Sequence, residues 1–118
     1  MIQPVRHSAT VHESDGKFEG VGGLHLYYRT WEAAQPIAGL IVVHGLSDHS
    51  ARFADLGRRL SANGINVYAF DLRGHGESEG RRGHAARFDF MLQDVERFRR
   101  EVDFAPQQYG ASRVDRAA

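Results

Sequence analysis

The sequence has no cysteine and a single lysine, Lys17. It has no net charge, since fifteen basic residues balance fifteen acidic ones. Without cysteine there is neither a disulfide framework nor a thiol nucleophile. Without net charge there is no long-range field to draw nucleic acid or an anionic membrane, and the arginines are scattered among acids rather than gathered on a stripe. No apolar run approaches the roughly 20 residues of a membrane span. The start, Met1 to His7, lacks the apolar core of a secretory signal, so a cytoplasmic location is expected. The 118 residues suffice for one small domain.

Within that frame the patterning is uneven. Residues 1–16 are polar and mixed, and read as a flexible N-terminal segment. Lys17–Val21 and Leu24–Trp31 read as strands joined at Gly22-Gly23, the second alternating Leu24, Leu26 and Tyr28 with His25, Tyr27 and Arg29. Leu40–Val43 is continuously apolar and β-branched, as in a parallel strand buried on both faces. A helix is expected from about Ala51 to Ala62, capped by Ser50, with Phe53, Leu56 and Leu60 inward and Asn63-Gly64 as its stop. Ile65–Phe70 is a second buried strand, so 40–70 forms a right-handed βαβ unit.

Arg73–Arg87 is a loop rich in Gly, His and Arg. A last helix is expected over Phe88–Phe104, with Phe88, Met91, Val95, Phe98 and Val102 on one face and a Glu96–Arg100 pair elsewhere, ending before Pro106. Residues 105–118 carry no periodicity and read as an unpatterned tail. The folded part is thus expected to be α/β and to span 17–104.

Two blocks carry the chemistry. His44-Gly45-Leu46 sits directly after a buried strand and before a helix, where backbone N–H groups in a tight turn bind charge developing on a carbonyl oxygen. Asp71-Leu72-Arg73-Gly74-His75-Gly76-Glu77-Ser78 follows the next strand at the separation a βαβ unit requires. Together they resemble the monoacylglycerol lipase and lysophospholipase branch of the α/β-hydrolase family (the serine aminopeptidase S33 type), in which a strand-His-Gly-x-x-x-His-Ser block precedes Asp-x-Arg-Gly-His-Gly-x-Ser. The matching positions are His44, Gly45, His49, Ser50, Asp71, Arg73, Gly74, His75, Gly76 and Ser78. The resemblance covers about residues 17–104.

The resemblance implies the N-terminal half of an α/β-hydrolase sheet: the hairpin outermost, then the 65–70 strand, then the 40–43 strand. It implies that Leu46 supplies an oxyanion-hole N–H. It also implies that His44, Gly45, Asp71, Arg73 and His75 brace the loops rather than perform chemistry. The family's nucleophile sits on a Gly-x-Ser-x-Gly elbow after a fifth strand, with acid and base later still. Neither that strand nor the elbow follows Phe104, so no triad residue is expected within these residues, and the chain reads as a truncated ester hydrolase that is inactive alone. With the fifth strand absent, Leu40–Val43 becomes an exposed edge inviting association. The alternatives are a non-catalytic interaction fragment, pairing through that edge with its own copy or a complementing chain, and the product of an interrupted reading frame.

Three further motifs compete with this reading. Gly76-Glu77-Ser78-Glu79-Gly80 has the letters of an elbow, but Ser78 lies in mid-loop, flanked by acids that oppose an oxyanion. Gly74, Gly76 and Gly80 have the wrong spacing for a dinucleotide loop. His44, Asp48 and His49, and likewise His75 and His84, lack a recognisable zinc spacing. No metal or cofactor is expected.

Overall fold

A computed structural model describes residues 11–83 and 87–102. In chain order the elements are β1 (His12–Glu19), β2 (His25–Glu32), β3 (Ala38–Val43), α1 (Ala54–Ala62), β4 (Ile65–Phe70) and α2 (Phe88–Val102), with single 3₁₀ turns at Val21–Gly23 and Ser50–Phe53. The strands form one four-stranded sheet in the order β1-β2-β4-β3. β1 with β2 and β2 with β4 are antiparallel, whereas β3 runs parallel to β4 from Ala38–Ile65 to Val43–Phe70.

β4 is the central strand, and its sequence shows why. Asn66, Val67, Tyr68, Ala69 and Phe70 are all buried, as a strand covered on both faces requires. Val67 and Ala69 join Trp31 beneath α1, while Tyr68 and Phe70 join Phe18, Leu26, Ile41, Leu72 and Phe98 beneath α2. The second layer is knit by rings: Phe18 meets Phe70 edge-on at 5.2 Å, and Phe70 lies 4.8 Å from Phe98. Each such side chain contributes about 1.5–3 kcal/mol by burial.

Several local features differ from the sequence expectation. β1 begins at His12 rather than Lys17, because residues 12–16 pair with 28–32; a strand paired to a neighbour need not carry an apolar stripe, so polarity alone placed the boundary too late. Residues 12–16, expected to be flexible, are therefore part of the sheet, and residues 1–10 of that segment lie outside the described residues. Ser50 does not cap α1: a 3₁₀ turn intervenes, Ser50 Oγ takes a hydrogen bond from Arg29 Nε, and Phe53 holds the cap position without a side-chain bond. Phe53 and Leu60 pack against the Trp31 cluster as expected, but the buried positions of α1 are Gly57 and Ser61, and Leu56 is 41% exposed. A Cβ on Gly57 would stand 2.3 Å from the Trp31 ring, so the large indole is seated directly on the helix backbone.

On α2, Phe98 is fully buried with Met91, Val95 and Val102 beside it, but Phe88 is 72% exposed. Glu96 pairs with both Arg99 and Arg100, at 2.6 and 3.4 Å. The helix end read at Phe104 and the 105–118 tail lie outside the described residues. Among the described residues, no helix is long and apolar enough to cross a membrane.

Candidate active-site wall

The parallel pairing of β3 and β4 brings the two conspicuous sequence blocks side by side, since both follow the C-terminal ends of their strands. Their contact is a hydrogen bond: the Leu72 N–H donates to His44 Nε2 at 2.9 Å. That donor fixes the tautomer. Nε2 must carry the lone pair, so Nδ1 carries the proton and donates to the Gly45 carbonyl at 2.6 Å. The imidazole is 3% exposed, and burial pushes its pKa below the ordinary histidine value. A buried, neutral ring spanning two backbone groups fixes the course of the chain where β3 ends.

Beyond that brace the chain turns outward. Gly45, Leu46 and Ser47 are exposed, and Ser47 adopts φ +66°, a left-handed conformation that costs a side chain energy. Asp48 closes the turn by accepting the His49 N–H at 2.9 Å and pairing with Arg52 at 2.6 Å, which holds its carboxyl below the usual carboxylate range. No described residue accepts a hydrogen bond from the Leu46 N–H. Gly45 and Leu46 instead face an open apolar cleft of about 430 Å³, walled by Val43, His44, Leu72, Phe88 and Met91.

Asp71 is the second brace and is 1% exposed. One carboxylate oxygen accepts the Ser50 N–H at 2.6 Å and the other the Glu77 N–H at 2.9 Å, while its own N–H donates to the Tyr27 carbonyl. A single buried carboxylate thereby ties the turn before α1 to the loop after β4. Gly76 lies so close that a Cβ there would stand 2.3 Å from Asp71 Oδ2. His75 is also buried. Its Nδ1 lies 3.1 Å from the Arg73 carbonyl, and its ring centre lies 5.4 Å from that of His44.

Ser78 is 2% exposed and bonded on both sides, donating to the Asp71 carbonyl at 2.5 Å and accepting the Tyr27 N–H at 2.8 Å. This side chain pins the loop against the edge of β2 and presents nothing to solvent.

Arg73 reaches across to α2. Its Nε and Nη2 meet Asp94 Oδ2 and Oδ1 at 2.7 and 3.0 Å, and Nη2 also donates to the Val21 carbonyl at 2.8 Å. The Val21 N–H returns a bond to Asp94 Oδ1 at 2.9 Å. Loop, hairpin turn and helix are thus clamped around a fully buried carboxylate. Asp94 was not singled out by sequence reasoning, although it lies between Met91 and Phe98 on the stripe that the helix buries. An acid on an apolar stripe, with an otherwise unexplained arginine upstream, was the available signal.

Among the described residues, no group of three or more metal-binding side chains converges; His84 lies outside them. His44, Asp48 and His49 do not assemble, because His44 is turned inward as a brace while His49 is exposed. Tyr27 is held unusually weakly acidic, with its pKa pushed up to about 12 by burial and by its hydrogen bond to Asp15.

The chain is similar to known proteins. A family model described as "Serine aminopeptidase, S33" matches residues 34–113. The monoacylglycerol lipase of Mycolicibacterium smegmatis is 37% identical over 82 residues, covering 69% of this chain and 29% of that one. The monoglyceride lipase of Homo sapiens is 38% identical over 74 residues, covering 62% and 24% respectively. Among solved structures, an α/β hydrolase from Novosphingobium aromaticivorans superposes with a TM-score of 0.61 at 24% identity, covering 88% of this chain and 34% of that one. The chain therefore spans only about a quarter to a third of the length of these proteins. With the sheet order, the paired loops and a family match over most of its length in agreement, the chain belongs to the serine aminopeptidase S33 family and has the fold of part of an α/β-hydrolase.

Proposed function

We propose that this chain supplies the oxyanion-binding wall of a serine ester hydrolase acting on monoacylglycerol- or lysophospholipid-like carboxylic esters. The observation that carries the reading is the Leu46 N–H: a backbone donor with no acceptor among the described residues, in a turn at the C-terminal end of β3, beside an apolar cleft. In acyl transfer a nucleophile adds to the ester carbonyl and negative charge gathers on its oxygen. A preorganised N–H aimed at that oxygen lowers the barrier because it need not reorient as the charge develops. His44 supports this by fixing the turn from behind, and the apolar wall of Val43, Leu72, Phe88 and Met91 suits an acyl chain. Asp71, Arg73 and His75 hold the second loop in register with the first and touch no reacting atom.

The chemistry also requires an activated serine with its acid and base. The buried, doubly bonded Ser78 does not fit that role. The 118 residues alone are therefore expected to show no esterase turnover. A chimera tests the reading: residues 34–113 of this chain replace the corresponding segment of the mycobacterial monoacylglycerol lipase. Retained hydrolysis of a monoacylglycerol by a folded chimera supports it. A folded chimera that binds a serine-directed phosphonate no faster than free serine contradicts it.

A further inference from the structure

We infer that Asp94 is a positioning residue for the oxyanion turn: through the fork of Arg73 it holds Leu72, and with it His44, where they aim the Leu46 N–H. The inference rests on the acyl-transfer reading of that N–H. It adds a residue of α2 that is buried behind the cleft and does not line it.

Burying a carboxylate with a guanidinium is a poor route to stability. Both ions lose their water, and a well-packed apolar pair of similar volume serves as well or better. Yet Asp94 is fully buried and takes three donors: Nε and Nη2 of Arg73 and the Val21 N–H. The backbone at Gly20 is seated against it too, since a Cβ there would stand 2.7 Å from Asp94 Oδ1. What the ion pair supplies and an apolar pair does not is direction. A planar guanidinium meeting both oxygens of a carboxylate is held in orientation as well as in place. The Phe90 ring, centred 5.6 Å from the Arg73 guanidinium carbon, constrains it further.

That direction passes to the neighbours of Arg73. Leu72, one residue before, donates its N–H to His44 Nε2. The Arg73 carbonyl lies 3.1 Å from Nδ1 of His75, whose ring centre is 5.4 Å from that of His44. Two short routes therefore run from one arginine to one imidazole. On its other side that imidazole holds the Gly45 carbonyl through Nδ1. The Gly45 carbonyl and the Leu46 N–H belong to the same peptide unit, which is trans. In a planar trans peptide the two groups point in opposite directions, so a carbonyl gripped from behind aims the N–H forward.

The loop after β4 has other supports, but they lie on other sides. Asp71 ties it to the turn before α1, and Ser78 ties it to β2. Toward α2 it is tied by Arg73. The helix has its own apolar anchorage, with Phe98 buried in the core and Met91, Val95 and Val102 packed against it. Losing the fork thus loosens the loop and leaves the helix, with the cleft wall it carries, in place. The kinetic signature is a fall in kcat at nearly constant KM.

Arg73→Met/Asp94→Leu separates direction from stability, because it fills the space and leaves no unpaired charge. In the 118-residue chain, amide hydrogen exchange reads the link itself. Protection of the Leu72 N–H, taken relative to the amides of β4, is expected to fall at least tenfold. Arg73→Lys keeps the charges paired but loses the planar fork, and is expected to share the loss. Glu96→Gln alters an exposed ion pair on the same helix and is expected to leave the ratio within twofold.

The chimera described above, extended to carry residues 11–113, reads the consequence. The double variant is expected to lower kcat for a monoacylglycerol at least tenfold with KM within twofold, and Glu96→Gln to change neither. A Leu72 amide as protected as in the native chain, native kcat in Arg73→Lys, or an unchanged kcat in the double variant of a chimera that Leu46→Pro impairs would each overturn the inference and leave the acyl-transfer reading standing. A Leu46→Pro chimera with native kcat would overturn that reading, and this inference with it.

Discussion

The Leu72 N–H and the His44 ring nitrogen, 2.9 Å apart, join the loops that follow two parallel strands. The bond is made by a neutral imidazole, and proton binding at Nε2 would remove the acceptor and place a charge in a buried site.

Stability should therefore depend on pH through His44. Its folded pKa lies below the unfolded value near 6.5, so the unfolded state binds more protons between the two. The contribution of the neutral ring is complete above about pH 6.5 and is lost as pH falls through the folded pKa. Urea midpoints measured from pH 8 to pH 5 should fall on the acid side in the native chain. In His44→Gln, which keeps hydrogen-bonding capacity without a titrating group, the part of that slope due to this residue should vanish.

The Arg73–Asp94 clamp should be the most sensitive polar feature of the fold. Asp94 is fully buried and Arg73 nearly so, with side chains 0% and 11% exposed. Removing one partner of such a pair leaves a buried charge uncompensated and costs about 3–5 kcal/mol. Asp94→Ala should lose that much in chemical denaturation. The double variant Arg73→Met/Asp94→Leu should recover a large share, because the cost lies mainly in the unpaired charge.

Ser78→Ala should act on folding and not on chemistry. The substitution leaves the Tyr27 N–H without its acceptor and the Asp71 carbonyl without one donor. About 1–3 kcal/mol is the ordinary cost of such an orphaned buried group. In the chimera described above, denaturation should register that loss while kcat for ester hydrolysis stays within a factor of two.

Ser47 offers the opposite sign. Its φ of +66° is adopted by a residue with a side chain in an exposed turn. Ser47→Gly relieves that conformation and should stabilise the chain by about 1 kcal/mol, read as a rise in the urea midpoint at constant slope.

The sequence made the strands legible wherever burial imposed a pattern, while their order came from the resemblance to the family. β4 is apolar along its length because both its faces are covered, and the hairpin shows in Gly22 and Gly23, both at positive φ. What escaped it was set by partners distant in the chain. β1 starts at His12 because its mate is long enough to hold it, and Gly57 faces inward because Trp31 fills the space that a larger residue would need. His44 and Asp71 stood out through their motifs, but the buried role of Asp94 depends on an arginine 21 positions away that only the folded loop delivers.

The central claim is that the turn after β3 presents the Leu46 N–H to a developing oxyanion. The measurement that tests it most directly compares Leu46→Pro with Leu46→Ala in the folded chimera, under single-turnover conditions with a monoacylglycerol. Proline deletes the donor, and alanine keeps it while shortening the side chain. The account predicts a fall in kcat of about 10²–10³ for proline with KM little changed, and near-native kcat for alanine. Equal kcat in the two folded variants would contradict it.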